Sequence, residues 1–141
     1  MEQVFTKAVA RNIFLGSAAF FLVIYLLLTA ATWHAIPRRD HASAMTPQVI
    51  KGKYLVDSND CQGCHTINGE GSYFAPELDD VYTRRGPAFI NAWIAAQPTG
   101  VPGRRQMPNF HFTPQQLDDI VAYLRWLSKV DTNHWPPNIQ G

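Results

Sequence analysis

The chain has 141 residues, with 12 Lys and Arg against 11 Asp and Glu and a formal net charge of +1. That length suits one small domain plus an appendage, and the balanced charge gives no basic footprint for nucleic acid. Two cysteines exclude a zinc site of four cysteines, or of three and a histidine, within the chain.

The first element is apolar. Residues 13–33 carry no charge, and about 21 residues at ~1.5 Å rise would span about 31 Å as a helix, close to the hydrocarbon thickness of a bilayer. About half of them are Leu, Ile, Phe or Val, which outweigh the hydroxyls of Ser17, Tyr25, Thr29 and Thr32. A cleaved signal peptide competes, because Lys7 and Arg11 precede the run and Thr29-Ala30-Ala31 lies near its end. The run exceeds the roughly 7–15 apolar residues of such a signal, so a retained transmembrane anchor over 1–35 is expected. Arg38 and Arg39 balance Lys7 and Arg11, so basic residues alone do not orient it.

Residues 36–45, with a proline, two arginines and small residues, read as a linker. A domain is expected over 46–141. Thr46-Pro47 combines an N-cap with a first-turn proline, and Val49, Gly52 and Val56 then share one helix face. Gly52 would let another helix approach closely. Asp57-Ser58-Asn59-Asp60 ends this helix and delivers the chain to Cys61.

Cys61-Gln62-Gly63-Cys64-His65 follows, and this spacing is the attachment signature of c-type haem. Each thiol would form a thioether with one vinyl group, and the adjoining imidazole would ligate the iron. A thioredoxin-like pair is the competing reading of Cys-x-x-Cys, but no βαβ pattern accompanies it. Haem attachment is extracytoplasmic in bacteria. It therefore sets the amino terminus in the cytoplasm and the domain in the periplasm, with Trp33 at the interface.

Gly86-Pro87 opens a second apolar-periodic segment with Phe89, Ile90, Trp93 and Ile94, ending near Gln97-Pro98. Thr113-Pro114-Gln115-Gln116 has the form of a capping box, ahead of a stripe of Leu117, Ile120, Val121, Leu124 and Leu127. Tyr123 and Trp126 widen the stripe. Phe89, Trp93 and Trp126 are expected to pack in the core. No strand alternation is legible, and Asn68-Gly69 reads as part of a polar loop. The class is all-α, with a core too small to suffice without the haem.

The sixth iron ligand is expected to be Met107, in the polar loop Gly103-Arg104-Arg105-Gln106-Met107-Pro108, because Met1 lies across the membrane and Met45 in the linker. His111 is the close rival, with His134 further off. Arg84, Arg85, Arg104 and Arg105 could meet haem propionates or a docking partner, although solvent is expected for at least two of them. The segment 133–138 is expected to be extended.

A helix before Cys-x-x-Cys-His, a proline-leucine loop after it and a Met-Pro loop before an aromatic-rich last helix resemble the class I cytochrome c fold over about 46–130. The resemblance implies that the carbonyl of Pro76, eleven residues after His65, accepts a hydrogen bond from its imidazole. It also implies that Leu78 packs on the haem. With the membrane helix and the run Gly69-Glu70-Gly71-Ser72-Tyr73-Phe74-Ala75-Pro76-Glu77-Leu78, nearly the whole chain resembles the small cytochrome c subunit of bacterial nitric oxide reductases. That likeness implies an electron-transfer subunit with no catalysis of its own, in the cytoplasmic membrane of a denitrifying cell. Its implied donors are periplasmic cytochromes or cupredoxins, and its implied acceptor is haem b in a large subunit that also carries non-haem iron and reduces NO. It further implies an interfacial calcium ion, touched by Gly71 through its carbonyl and by Tyr73. A free-standing anchored carrier, a mono-haem subunit of a haem-copper oxidase, and a sensor or enzyme with an open sixth position are the alternatives.

Overall fold

The computed structural model describes residues 6–98, 103 and 106–135. Arg104, Arg105, Met1 and the tail from Pro136 lie outside the described residues. The chain divides into two compact units, the first ending at Arg38 and the second beginning at Arg39.

The first unit is helical. Helix α1, Lys7–Arg39, buries none of its residues and is long and apolar enough to cross a membrane. It runs further than the sequence suggests, through Pro37 into the expected linker. Proline deletes one bond, to the carbonyl of Trp33, and an exposed helix end can leave that carbonyl to solvent.

The rest of the expected linker is bonded into the second unit. The Arg39 carbonyl accepts from the Asp131 amide at 2.8 Å, and the Arg39 guanidinium meets the Asp131 carboxylate at 3.2 Å. His41, in the left-handed region at φ 49, turns the chain into a 3-10 turn over Ala42–Ala44, and its carbonyl accepts from the Trp126 indole at 3.2 Å. Met45 packs against the core, an apolar role that its polar neighbours conceal.

Helix α2, Pro47–Ser58, begins as expected: the Thr46 hydroxyl accepts from the Val49 amide at 3.3 Å and Pro47 occupies the first turn. Helix α4, Pro114–Leu127, begins with the full capping box of Thr113 and Gln116. The two pack through Gly52. A Cβ placed there would lie 1.9 Å from the Asp119 carbonyl oxygen, so only glycine lets the backbones approach this closely. Val49 and Val56 meet the α4 stripe of Leu117, Ile120, Leu124 and Leu127, all buried. Each branched side chain fully buried in this way contributes about 1.5–3 kcal/mol.

Between them the chain contains what the sequence did not suggest. Strands β1, Thr66–Ile67, and β2, Glu70–Gly71, pair antiparallel, with Thr66 opposite Gly71 and Ile67 opposite Glu70. Asn68 and Gly69 have φ of 50 and 82, the two positive values a type I′ hairpin turn requires. Two-residue strands are too short to show alternation. Both oxygens of the buried Asp79 carboxylate accept from the Asn68 amide, at 3.0 and 3.1 Å. Helix α3, Val81–Ala95, is two helices merged across a kink at Gly86 (φ 74). The second begins at Pro87, as its sequence predicts, while 81–85 lacks apolar periodicity and is not legible as helix. Residues 132–135 are also not extended: Asn133 and His134 are both left-handed, and the Trp135 amide returns to the Thr132 carbonyl at 3.3 Å.

Gly52→Ala must separate α2 from α4, and overpacking of this kind costs about 1–3 kcal/mol. Thermal unfolding of the haem-loaded chain should show a clearly lower midpoint. Burial, the largest cause, raises the Asp79 pKa from 3.8 to about 6, partly offset by the Asn68 amide. The folded state thus binds more protons than the unfolded chain between these values. Stability from this site is full below pH 3.8 and is lost as pH rises through about 6. In urea titrations across that range, Asp79→Asn should flatten this part of the decline.

Candidate haem-binding site

The attachment segment is one tight turn. Asp60, left-handed at φ 51, reverses the chain after α2, and Cys61–Gly63 forms a 3-10 turn. The amides of Cys64 and His65 both return to the Cys61 carbonyl, at 3.2 and 2.9 Å. This turn brings the two half-buried thiols and the imidazole together.

The following loop is laid against that turn by three bonds. The Ala75 amide donates to the Cys64 carbonyl at 2.8 Å, the His65 Nδ1–H to the Pro76 carbonyl at 2.6 Å, and the Leu78 amide to the Thr66 carbonyl at 3.0 Å. The loop arrives there through Gly71. Its φ is 109, and a Cβ would sit 2.4 Å from the His65 carbonyl and 2.9 Å from that of Gln62, so glycine is required for the approach. The Ser72 amide donates to both carbonyls, and the fully buried Thr66 hydroxyl donates to the Ser72 carbonyl at 2.8 Å. Tyr73 is 67% exposed. Among the described residues no group of three His, Cys, Asp or Glu could hold a metal, so Gly71 and Tyr73 have no acidic cluster beside them.

Two cavities flank the imidazole, of about 360 and 260 Å³. Cys61, His65 and Met107 line both. The larger has apolar walls from Val56, Leu78, Ile90, Ile94, Phe112 and Leu124, and the smaller is closed by Cys64, Phe74, Pro108 and Phe110. Phe89 and Trp93, expected in the core, instead remain 44% and 55% exposed and line the larger cavity, their rings stacked at 5.7 Å. Helical spacing gives the direction of a side chain but not whether protein or another group covers it.

These residues fit a covalently held haem. Two thiols and a histidine share one turn, apolar walls accept a large flat ring, and committing Nδ1 to Pro76 leaves Nε2 for a metal. Met107 is half-buried on both cavity walls, whereas His111 is exposed and contributes to neither. The Cys61 thiol does not suit the redox-pair alternative. Burial, with the charge of Asp60 second, pushes the free Cys61 thiol up to about 11, whereas an attacking cysteine needs a depressed value.

The arginines do not behave as one set. Arg84 is not solvated: it is ion-paired with Glu77, whose side chain is 1% exposed, and it also donates to the Glu77 carbonyl at 3.1 Å. Arg85 lies 5.5 Å over the Phe89 ring, a cation–π distance. The buried Glu77–Arg84 pair escapes sequence reasoning because a loop glutamate reads as surface. Its only signal is a carboxylate wedged between Pro76 and Leu78.

The cytochrome c family model matches residues 49–128. The chain is 49% identical over 146 residues to the nitric oxide reductase C subunit of Stutzerimonas stutzeri, and 39% identical over 150 residues to that of Paracoccus denitrificans. Both alignments cover 100% of each chain. A cytochrome c-553-like protein of Synechocystis is 27% identical over 106 residues, 75% of this chain and 94% of its own.

Proposed function

The chain belongs to the family of nitric oxide reductase C subunits and carries the cytochrome c domain that implies covalent haem c, and from that premise we propose how it serves as an electron-transfer subunit. It takes electrons from periplasmic cytochromes or cupredoxins and passes them to haem b of a large membrane subunit. There two NO, two electrons and two protons become nitrous oxide and water. The bound haem supplies a one-electron couple. The residues of this chain would hold and tune it: Cys61 and Cys64 through thioethers, His65 Nε2 and the Met107 sulfur as ligands of the iron, and the Pro76 carbonyl by fixing the imidazole through Nδ1. Leu78 and the apolar walls exclude water.

The convergence of Cys61, His65 and Met107 on both cavities carries this reading. Helix α1 anchors the chain in the cytoplasmic membrane with its amino terminus inside and the haem domain in the periplasm. Gly71 and Tyr73 contribute a carbonyl and a phenol oxygen to an interfacial calcium ion whose remaining ligands come from the large subunit. Ten acidic and ten basic residues follow Pro37, so a donor is steered by local patches and not by net charge. A free-standing carrier is disfavoured. Shuttling needs tens of flexible residues, whereas the expected linker is about ten residues long, and within it Arg39 is bonded to Asp131 and His41 to Trp126.

Purification in mild detergent should bring down a larger subunit bearing b-type haem and non-haem iron; copper in place of that iron would redirect the reading to an oxidase. Met107→Ala should convert a six-coordinate, low-spin haem to one that binds carbon monoxide when ferrous, and should lower the reduction potential. A parent that is already high-spin would sink the His/Met assignment.

A further inference from the structure

We propose that the buried Glu77–Arg84 pair is a positioning device that holds the Pro76 carbonyl on the imidazole of His65, and so sets the electron donation of that ligand. The inference rests on His65 ligating the iron, as proposed above.

Pro76 has no amide hydrogen of its own, so its carbonyl can be aimed only by what holds its neighbours. On one side Ala75 is tied to Cys64, and two residues beyond Pro76 Leu78 is tied to Thr66. Glu77 is the residue directly after the carbonyl, and it is gripped at three points. Arg84 donates to its carboxylate and to its backbone carbonyl, and the Asp80 amide donates to its other carboxylate oxygen at 3.2 Å. Arg84 is itself placed by α3, where its amide returns to the Asp80 carbonyl at 3.0 Å. A guanidinium is the group that can bridge a side-chain and a main-chain oxygen at once, since its N–H donors form a rigid fork.

A buried ion pair is not needed merely to fill space, because apolar residues of similar volume often serve as well or better. What it supplies here is a fixed direction. A loop held only by Ala75 and Leu78 could rotate the intervening peptide plane, lengthening the bond to Nδ1 and weakening the imidazole as a donor to the metal. The pair is neutral as a unit, so it adds no net charge of its own to the cavity wall that it shares with Arg85.

The test uses the full-length, haem-loaded chain in detergent, with Glu77→Ala, Glu77→Gln and Arg84→Gln variants. Two readouts are followed: hydrogen exchange of the His65 Nδ1 proton by NMR in the ferrous state, and the reduction potential. Nδ1 exchange should accelerate at least tenfold in Glu77→Ala and in Arg84→Gln, with Glu77→Gln intermediate because one acceptor oxygen remains. The potential should rise in Glu77→Ala, where an uncompensated cation favours the reduced state, and should fall relative to it in Arg84→Gln. A merely structural pair would lower thermal stability and leave Nδ1 exchange at the parental rate in every haem-loaded variant, which overturns the inference. If Glu77→Ala does not take up haem, Glu77→Gln and Arg84→Gln decide by the same exchange criterion. A parent without a low-spin His-ligated spectrum overturns the ligation and this inference with it. A low-spin parent with unmoved variants overturns the inference alone.

Discussion

The hydrogen bond from His65 Nδ1 to the Pro76 carbonyl is the constraint on which the site depends. It fixes the tautomer of the imidazole, its rotation and the nitrogen that remains for a metal, and it does so with a main-chain acceptor that cannot titrate. The surrounding backbone exists to keep that acceptor in place. Gly71 brings the loop against the Cys61–His65 turn, Thr66 and Ser72 lock the approach, and Ala75 and Leu78 lie on either side of the carbonyl. The small hairpin β1–β2 is therefore part of the site and not a decoration of a helical fold.

The helices serve the cavity as much as they serve one another. Helices α2 and α4 meet through Gly52 and bury a narrow apolar seam, but Phe89 and Trp93 of α3, stacked on each other, remain partly exposed on the cavity wall. A second unit of about 100 residues buries a limited core of its own. Apolar walls shared between side chains and a large flat cofactor make cofactor uptake part of folding, because a group that binds only the folded state adds its binding free energy to stability.

The parts of this architecture written in local chemistry are legible in the sequence. Thr46-Pro47, Gly86-Pro87 and the Thr113–Gln116 capping box each act within four residues, and the α4 stripe repeats at helical period over fourteen residues. The attachment pentapeptide is legible for the same reason. What escapes depends on contacts between distant residues. A hairpin of two-residue strands has no period to detect; Arg84 looks like any surface arginine until Glu77 folds under it; and Met45 and His41 reveal their contacts only once the core and α4 are in place. The exposure of Phe89 and Trp93 departs from expectation on different grounds, since periodicity gives a direction but not an occupant.

Function follows from how few options the site leaves open. If the imidazole and the thioether both ligate the iron, as proposed, they would leave it no position for NO, and the chain would relay charge and leave the bond-making to a partner. Relay over a fixed distance favours a rigid site. His65, Pro76 and their neighbours are pinned by backbone bonds. Such a design suits a permanent subunit better than a diffusing carrier, because a carrier gains from a long tether and a subunit gains from holding one geometry.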